Sequence, residues 1–186
     1  MKKSFPILFL LSLMFISCKP LFKSVDGINK TREYADNKEY VSYYSKKLKV
    51  DENSIFFFKT QEALSLFFRD LSKSHVAYFY GIKVDDKLYR ISPETGKSAC
   101  LGVINQAVQQ ESVRENSNYV EFEYTLDNNL LTNHADEHPI ISKKVAVFVL
   151  SDKLGNTNHN AIKKIIRDMD KETTDFFLIS VDRIAE

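Results

Sequence analysis

In "QEALSLFFRDLSKS", Leu64, Phe67, Phe68 and Leu71 stand at i, i+3, i+4 and i+7, with Thr60 directly ahead as a cap. This spacing gathers four apolar side chains on one face and predicts an amphipathic helix over 61–74. A second helix is predicted over 36–48. Asp36 caps it, Glu39 sits at capping-box spacing, and Tyr40, Val41, Tyr44 and Leu48 share a face. Period-two and fully apolar runs predict the strands. "SIFFF" (54–58), "KVAVFVL" (144–150) and "DFFLISV" (175–181) are short and apolar throughout, as buried strands are. "HVAYFYGIKV" (75–84), the turn "DDK" and "LYRIS" (88–92) form a hairpin, its first strand central in the sheet. In "YVEFEYTL" (119–126), Val120, Phe122, Tyr124 and Leu126 alternate with polar residues, which predicts a half-buried strand.

The remaining stretches give two helices and two loops. Cys100, Val103, Ile104, Ala107 and Val108 fall at helical spacing in 98–112, with Ser98 as cap and Gly102 as a weak point. Ala161, Ile162, Ile165, Ile166 and Met169 mark the inner face of a helix over 161–172. The polar stretches 127–143 and 151–160 lack a sustained period and are read as loops. The expected fold is α/β, a small mixed sheet with helices packed on it. Its last two strands are parallel, joined by a helical crossover.

That final unit resembles the opening β-α-β of the thioredoxin fold. "VFVLSDKLGNTNHNAIKKII" covers the place of strand, Cys-x-x-Cys and helix, and "FFLISVD" the next strand. The resemblance spans about forty residues and implies a thioredoxin-like scaffold. The hairpin at 76–92 would take its place in that sheet only in permuted order. Leu154, Gly155, Asn156 and Thr157 occupy the Cys-x-x-Cys positions. The scaffold is therefore expected without disulfide exchange, which needs a thiolate nucleophile and a resolving thiol.

The beginning of the chain reads as an address. Lys2 and Lys3 precede an apolar stretch, Phe5 to Ile16, too short to span a bilayer, and the segment ends in "FISC". This resembles the signal peptide and lipobox of bacterial lipoproteins. The resemblance implies cleavage before Cys18, lipid on Cys18, and a place in the cell envelope, facing the periplasm or the surface. The expected organisation is a signal peptide over 1–17, a tether over 18–30 and one α/β domain over 31–186. Cys100 would then be the single thiol of the mature chain, which excludes an internal disulfide. About 170 residues remain, enough for one domain with its own core.

Charge narrows the partners. The chain carries 26 basic and 25 acidic residues, interspersed, and no basic stripe that would favour nucleic acid. It contains no tryptophan and 5 glycines, against a carbohydrate-binding face or a Gly-rich phosphate loop. "TGKSA" (95–99) holds a Gly-Lys-Ser, but Ile91 stands where a phosphate loop needs its first glycine.

Two segments carry candidate chemistry. His134, Glu137 and His138 spell the H-x-x-E-H of inverted zinc peptidases, which places two ligands on one helical face and a glutamate beside the metal-bound water. Asparagines precede the motif and Pro139 follows it, which disfavours a helix at His138. Cys100 near a helix N-terminus, with Lys97 close by, is the arrangement that lowers a thiol pKa; it also lines up with core positions. The tyrosines of "EYVSYYSKK" cover a sheet edge or, if one face is exposed, suit a protein partner. The reading is a lipid-anchored binding or interaction domain that is not an enzyme. It has no catalytic residue, metal ligand or cofactor, and its partners are the membrane through Cys18 and an envelope protein. The alternatives are a zinc-dependent hydrolase or metal-binding protein using His134, Glu137 and His138, and a one-cysteine redox protein using Cys100.

Overall fold

Asp36 lies extended ahead of α1 (Asn37–Leu48), and its carboxylate accepts the Glu39 N–H at 2.7 Å. Glu39 reaches back as a capping box requires, but one residue further out, accepting the Ala35 N–H at 2.8 Å. Tyr40, Val41, Tyr44 and Leu48 are buried. The structure, a computed structural model, describes residues 32–72, 76–85, 87–92, 101–109, 118–123, 127–140 and 144–186. The signal peptide, Cys18, the tether, "TGKSA" and Cys100 lie outside them.

Among the described residues, the chain continues through β1 (Ile55–Phe58), α2 (Gln61–Leu71), β2 (Phe79–Val84), β3 (Lys87–Ile91), α3 (Leu101–Gln109) and β4 (Tyr119–Glu123). It ends with β5 (Leu131–Thr132), β6 (Lys144–Leu150), α4 (Gly155–Asp168) and β7 (Thr174–Ile184). The strands form one mixed sheet in the order β4-β3-β2-β6-β7-β1-β5. β6, β7 and β1 run parallel and the other pairings are antiparallel. The hairpin β2–β3 therefore lies against β6, on the side away from β7.

Successive residues of the central strands feed opposite faces, as a pleated strand must. Ala146, Phe148 and Leu150 of β6 join α1, α3 and α4 in one core cluster. Val145, Val147 and Val149 join Ala63, Leu64 and Phe67 of α2 in a second cluster on the other face. This is a three-layer α/β arrangement, and β6, buried at every position, is its centre.

Three sequence expectations are corrected. α4 starts at Gly155 rather than 161, because its first turns, "GNTNHN", contain no apolar period and no side-chain cap. Phe68 was expected inward with Leu64, yet is 44% exposed, because α2 turns Ala63, Leu64 and Phe67 to the sheet instead. The stretch read as a loop at 127–143 contributes β5, where Leu131 is fully buried and pairs with Phe58.

Gly81 shows how tightly the hairpin is built. It sits at a register shift in β2 with φ 157, and a Cβ there would lie 2.8 Å from the Tyr89 carbonyl oxygen. Backbone of an inner strand cannot swing aside. Gly81→Ala is therefore expected to lower stability by about 2–3 kcal/mol, combining strain and overpacking. Urea denaturation checks this; an unchanged midpoint would show that β2 and β3 part easily.

Candidate functional site

The parallel strands create a crevice. Leaving β6, the chain turns onto the face that holds α4; leaving β1, it turns onto the opposite face that holds α2. Connections diverging to opposite faces leave open space between them, beyond the carboxyl ends of the strands. A cleft of about 480 Å³ occupies this place, over the end of β7. Asp152 and Lys153 reach it from the β6–α4 turn, Val181, Asp182 and Arg183 from β7, Leu64 and Phe68 from α2, and Arg32, Tyr34 and Tyr40 from the start of α1.

β7 presents Asp182 through a bulge. Phe56 pairs with Ile179 but Phe58 pairs with Ile184, so four residues, 180–183, stand opposite Phe57 alone. Such a bulge takes side chains out of the ladder and re-aims them. Asp182 Oδ1 accepts the Ser151 hydroxyl at 2.7 Å, and Oδ2 accepts the Asp152 N–H at 2.6 Å and the Tyr40 hydroxyl at 3.4 Å. With three donors, this carboxylate ties the β6–α4 turn to β7 and α1.

Asp152 is held differently. Its Oδ1 accepts the Tyr34 hydroxyl at 2.9 Å and also the Tyr44 hydroxyl. Among the described residues nothing donates to Oδ2, so the cleft keeps one carboxylate oxygen for a donor. Burial pushes Tyr34 above its ordinary range, and its hydrogen bond to Asp152 pushes the same way. Burial likewise raises Tyr40, with the Asp182 charge adding to it, and raises Tyr44, with Tyr40 and then Asp152 adding. The three phenols are thus neutral donors, and the carboxylates beside them are acceptors. Their rings pack together, Tyr34 to Tyr40 at 5.0 Å and Tyr40 to Tyr44 at 4.8 Å.

His159 braces this cluster from below. It is 2% exposed, and its Nε2–H donates to the Ser151 carbonyl at 3.0 Å. Nδ1 accepts from the Lys47 ammonium at 2.9 Å, which assigns the ring proton to Nε2. His159 therefore has a structural partner set, and it lies inside α4, four residues past its start, within the stretch 151–160 that the sequence suggested was a loop.

No family model, curated protein or solved structure matches this chain. The reading of the cleft rests on its own geometry.

The H-x-x-E-H segment is elsewhere and is not helical. Asn133 organises it as a turn, its Oδ1 accepting the Ala135 and Glu137 N–H groups, both at 2.9 Å. Asp136 takes a left-handed φ of 61 at the tip. Glu137 is bonded to the Asn133 amide at 3.1 Å, and the His138 Nδ1–H donates to the Leu131 carbonyl at 2.7 Å. The two imidazoles thus do not share a helical face, which the zinc-hydrolase geometry requires. His134 instead lines a separate, smaller cleft with residues from the start of α1. Among the described residues no three His, Cys, Asp or Glu side chains converge on a metal position.

The sequence reading passed over Asp152 and Asp182. A signal was present: "VLSD" and "ISVD" place an aspartate just after two buried strands, where open α/β sheets build their sites.

Proposed function

We propose that this chain is a bacterial lipoprotein, anchored in the cell envelope by lipid on Cys18, whose α/β domain binds a ligand or envelope partner without catalysis in the crevice over β7. The signal-like segment ending in "FISC" supports the address. The strand order β3-β2-β6-β7 supports a permuted thioredoxin-like scaffold, since the hairpin takes the place beside β6 that permutation requires. Leu154, Gly155, Asn156 and Thr157 stand where that scaffold's thiols would be.

One observation carries the binding reading. The cleft combines an open carboxylate oxygen on Asp152, the Lys153 ammonium and the exposed ring of Phe68, within a frame of protonated tyrosines. Neutral phenols and hydrogen-bonded carboxylates recognise polar groups; Phe68 and Leu64 give an apolar wall. Such a mixture is what small binding sites are made of.

The test uses the full chain expressed in a bacterial envelope, with a photo-reactive residue at Lys153 or, as control, at exposed Glu172. Cross-links unique to position 153, lost on Phe68→Asp, are the expected result. Membrane fractionation of the same cells should show the chain leaving the membrane on Cys18→Ala. Equal products from both positions would remove the crevice from consideration. Membrane retention without Cys18 would remove the lipid anchor.

A further inference from the structure

We infer that His159 is an acid-sensitive latch: it ties α1 to the β6–α4 turn while its ring is neutral and releases α1 when the ring takes a second proton. On one side Nε2–H donates to the Ser151 carbonyl at 3.0 Å. On the other, Nδ1 accepts from the ammonium of Lys47, in the last turn of α1, at 2.9 Å. The Tyr44 ring meets the imidazole edge to face, their centroids 5.2 Å apart, and the Tyr44 hydroxyl donates to Asp152 on the same turn.

This arrangement works in one protonation state only. A neutral imidazole has one donor and one acceptor nitrogen, whereas an imidazolium has two donors and no acceptor. An ammonium only donates. A proton on Nδ1 therefore breaks the Lys47 bond and sets two cations against each other. The ring is 2% exposed, so little water is present to spread that charge.

The groups around the ring, among the described residues, oppose the proton more than they favour it. From α1 the ring faces Lys47 and the neutral Tyr44. One turn along α4, Lys163 donates to the Lys47 carbonyl at 3.1 Å and adds a second ammonium to the joint. α3, which also packs on α4, carries no titratable side chain between Leu101 and Gln109. The turn itself carries Lys153 and Asp152, and β7 brings Asp182. Asp152 Oδ1 is taken by Tyr34 and Tyr44, and Asp182 is taken by Ser151, the Asp152 N–H and Tyr40.

The sign of the pH effect follows. Above about pH 6.5, the ordinary histidine value, folded and unfolded chains both hold a neutral ring and the latch is closed. Below it the unfolded ring takes the proton and the folded ring resists. The closed state then loses up to about tenfold in its equilibrium constant for each pH unit. Local opening of α1 relieves the conflict, because it parts the two cations and brings the ring to water. Tyr40 and Tyr44 move with α1, so their bonds to Asp182 and Asp152 go too. The latch acts on this wall of the crevice whatever the crevice binds; loss of a ligand in acid would rest in addition on the binding reading above.

The test uses the full chain in neutral detergent between about pH 8 and pH 5, the range in which histidine titrates. NMR follows the His159 ring, assigned by the loss of its signals in His159→Gln. Amide hydrogen exchange, corrected for the intrinsic rate at each pH, reports α1 and β6 separately. In the parent, His159 should be less than half protonated at about pH 6.5. α1 protection should fall up to about tenfold per unit below that, while β6 stays protected. His159→Gln should remove this component of the α1 profile. Lys47→Met removes the opposing cation and keeps a good helix former, so it should raise the pH of ring protonation and flatten the loss. It decides the matter if His159→Gln does not fold. A ring half protonated at or above about pH 6.5 with α1 still protected would overturn the inference. So would identical profiles in parent and Lys47→Met, or loss of α1 and β6 protection together.

Discussion

Asp70→Ala should destabilise the protein by about 3–5 kcal/mol, because it strands a buried guanidinium. Arg90 on β3 is 5% exposed, and its two terminal nitrogens both donate to the Asp70 carboxylate at the end of α2. Tyr80 completes the unit, its hydroxyl donating to Asp70 at 2.5 Å while its ring lies 4.3 Å from the guanidinium carbon. This fork-on-fork pair is a polar link between α2 and the hairpin, on the face that holds the second apolar cluster. Removing the acid takes away the carboxylate that both terminal nitrogens of this buried charge bond. Replacing both residues, as in Asp70→Leu with Arg90→Met, removes the charge and its acceptor together and should cost far less. For a domain of this size the single variant should melt about 10 °C lower. Thermal unfolding of the parent, both singles and the double gives the coupling. A double variant as unstable as Asp70→Ala would show that the pair serves packing rather than charge balance.

Alkaline pH should unfold the protein steeply, through Tyr40 and Tyr44. Both are fully buried, and burial raises their folded-state values above the ordinary 10.0, with nearby carboxylates reinforcing the shift. A phenolate formed here would lie in the core beside Asp152 or Asp182. The direction follows from proton binding. Below pH 10 both states hold the phenol protons, and the stabilisation is fully present. Above pH 10 the unfolded chain releases them while the folded chain retains them, so stability falls with each further unit. The loss is about 1.4 kcal/mol per pH unit for each phenol, and nearly 3 for the pair. Two units would then remove an amount comparable to the whole stability of a typical domain. Phenolate absorbance followed beside circular dichroism checks it: part of the phenolate signal should rise only as the fold is lost. Burial raises Tyr34 and Tyr119 as well, so four phenols share the slope and Tyr44→Phe should reduce it by about a quarter. Full ionisation of all nine tyrosines with the fold intact would refute the buried-donor description.

Much of the architecture was legible because its signals are local. Thr60 and Asp36 cap the helices their positions suggest, and the apolar runs at 55–58 and 144–150 are strands. Signals weaken where composition and structure part. Gly155 to Asn160 are helical with no apolar stripe, since only Gly155 and His159 turn inward. Phe68 belongs to an apolar face by spacing but lines the crevice, because α2 buries Ala63, Leu64 and Phe67 against the sheet and leaves Phe68 at the edge of that face.

The sequence by itself determined the α/β class, the central hairpin and a helical crossover between two buried strands, because period and capping are properties of neighbouring residues. Only the tertiary structure decided the site. Asp152 and Asp182 lie thirty positions apart along the chain and meet because β6 and β7 are parallel and β7 bulges after Ile179. Tyr34 and Tyr44 reach Asp152 from more than a hundred positions away. Strand order and bulge placement arise from which faces must be covered at once, a condition on the whole chain that no local window contains.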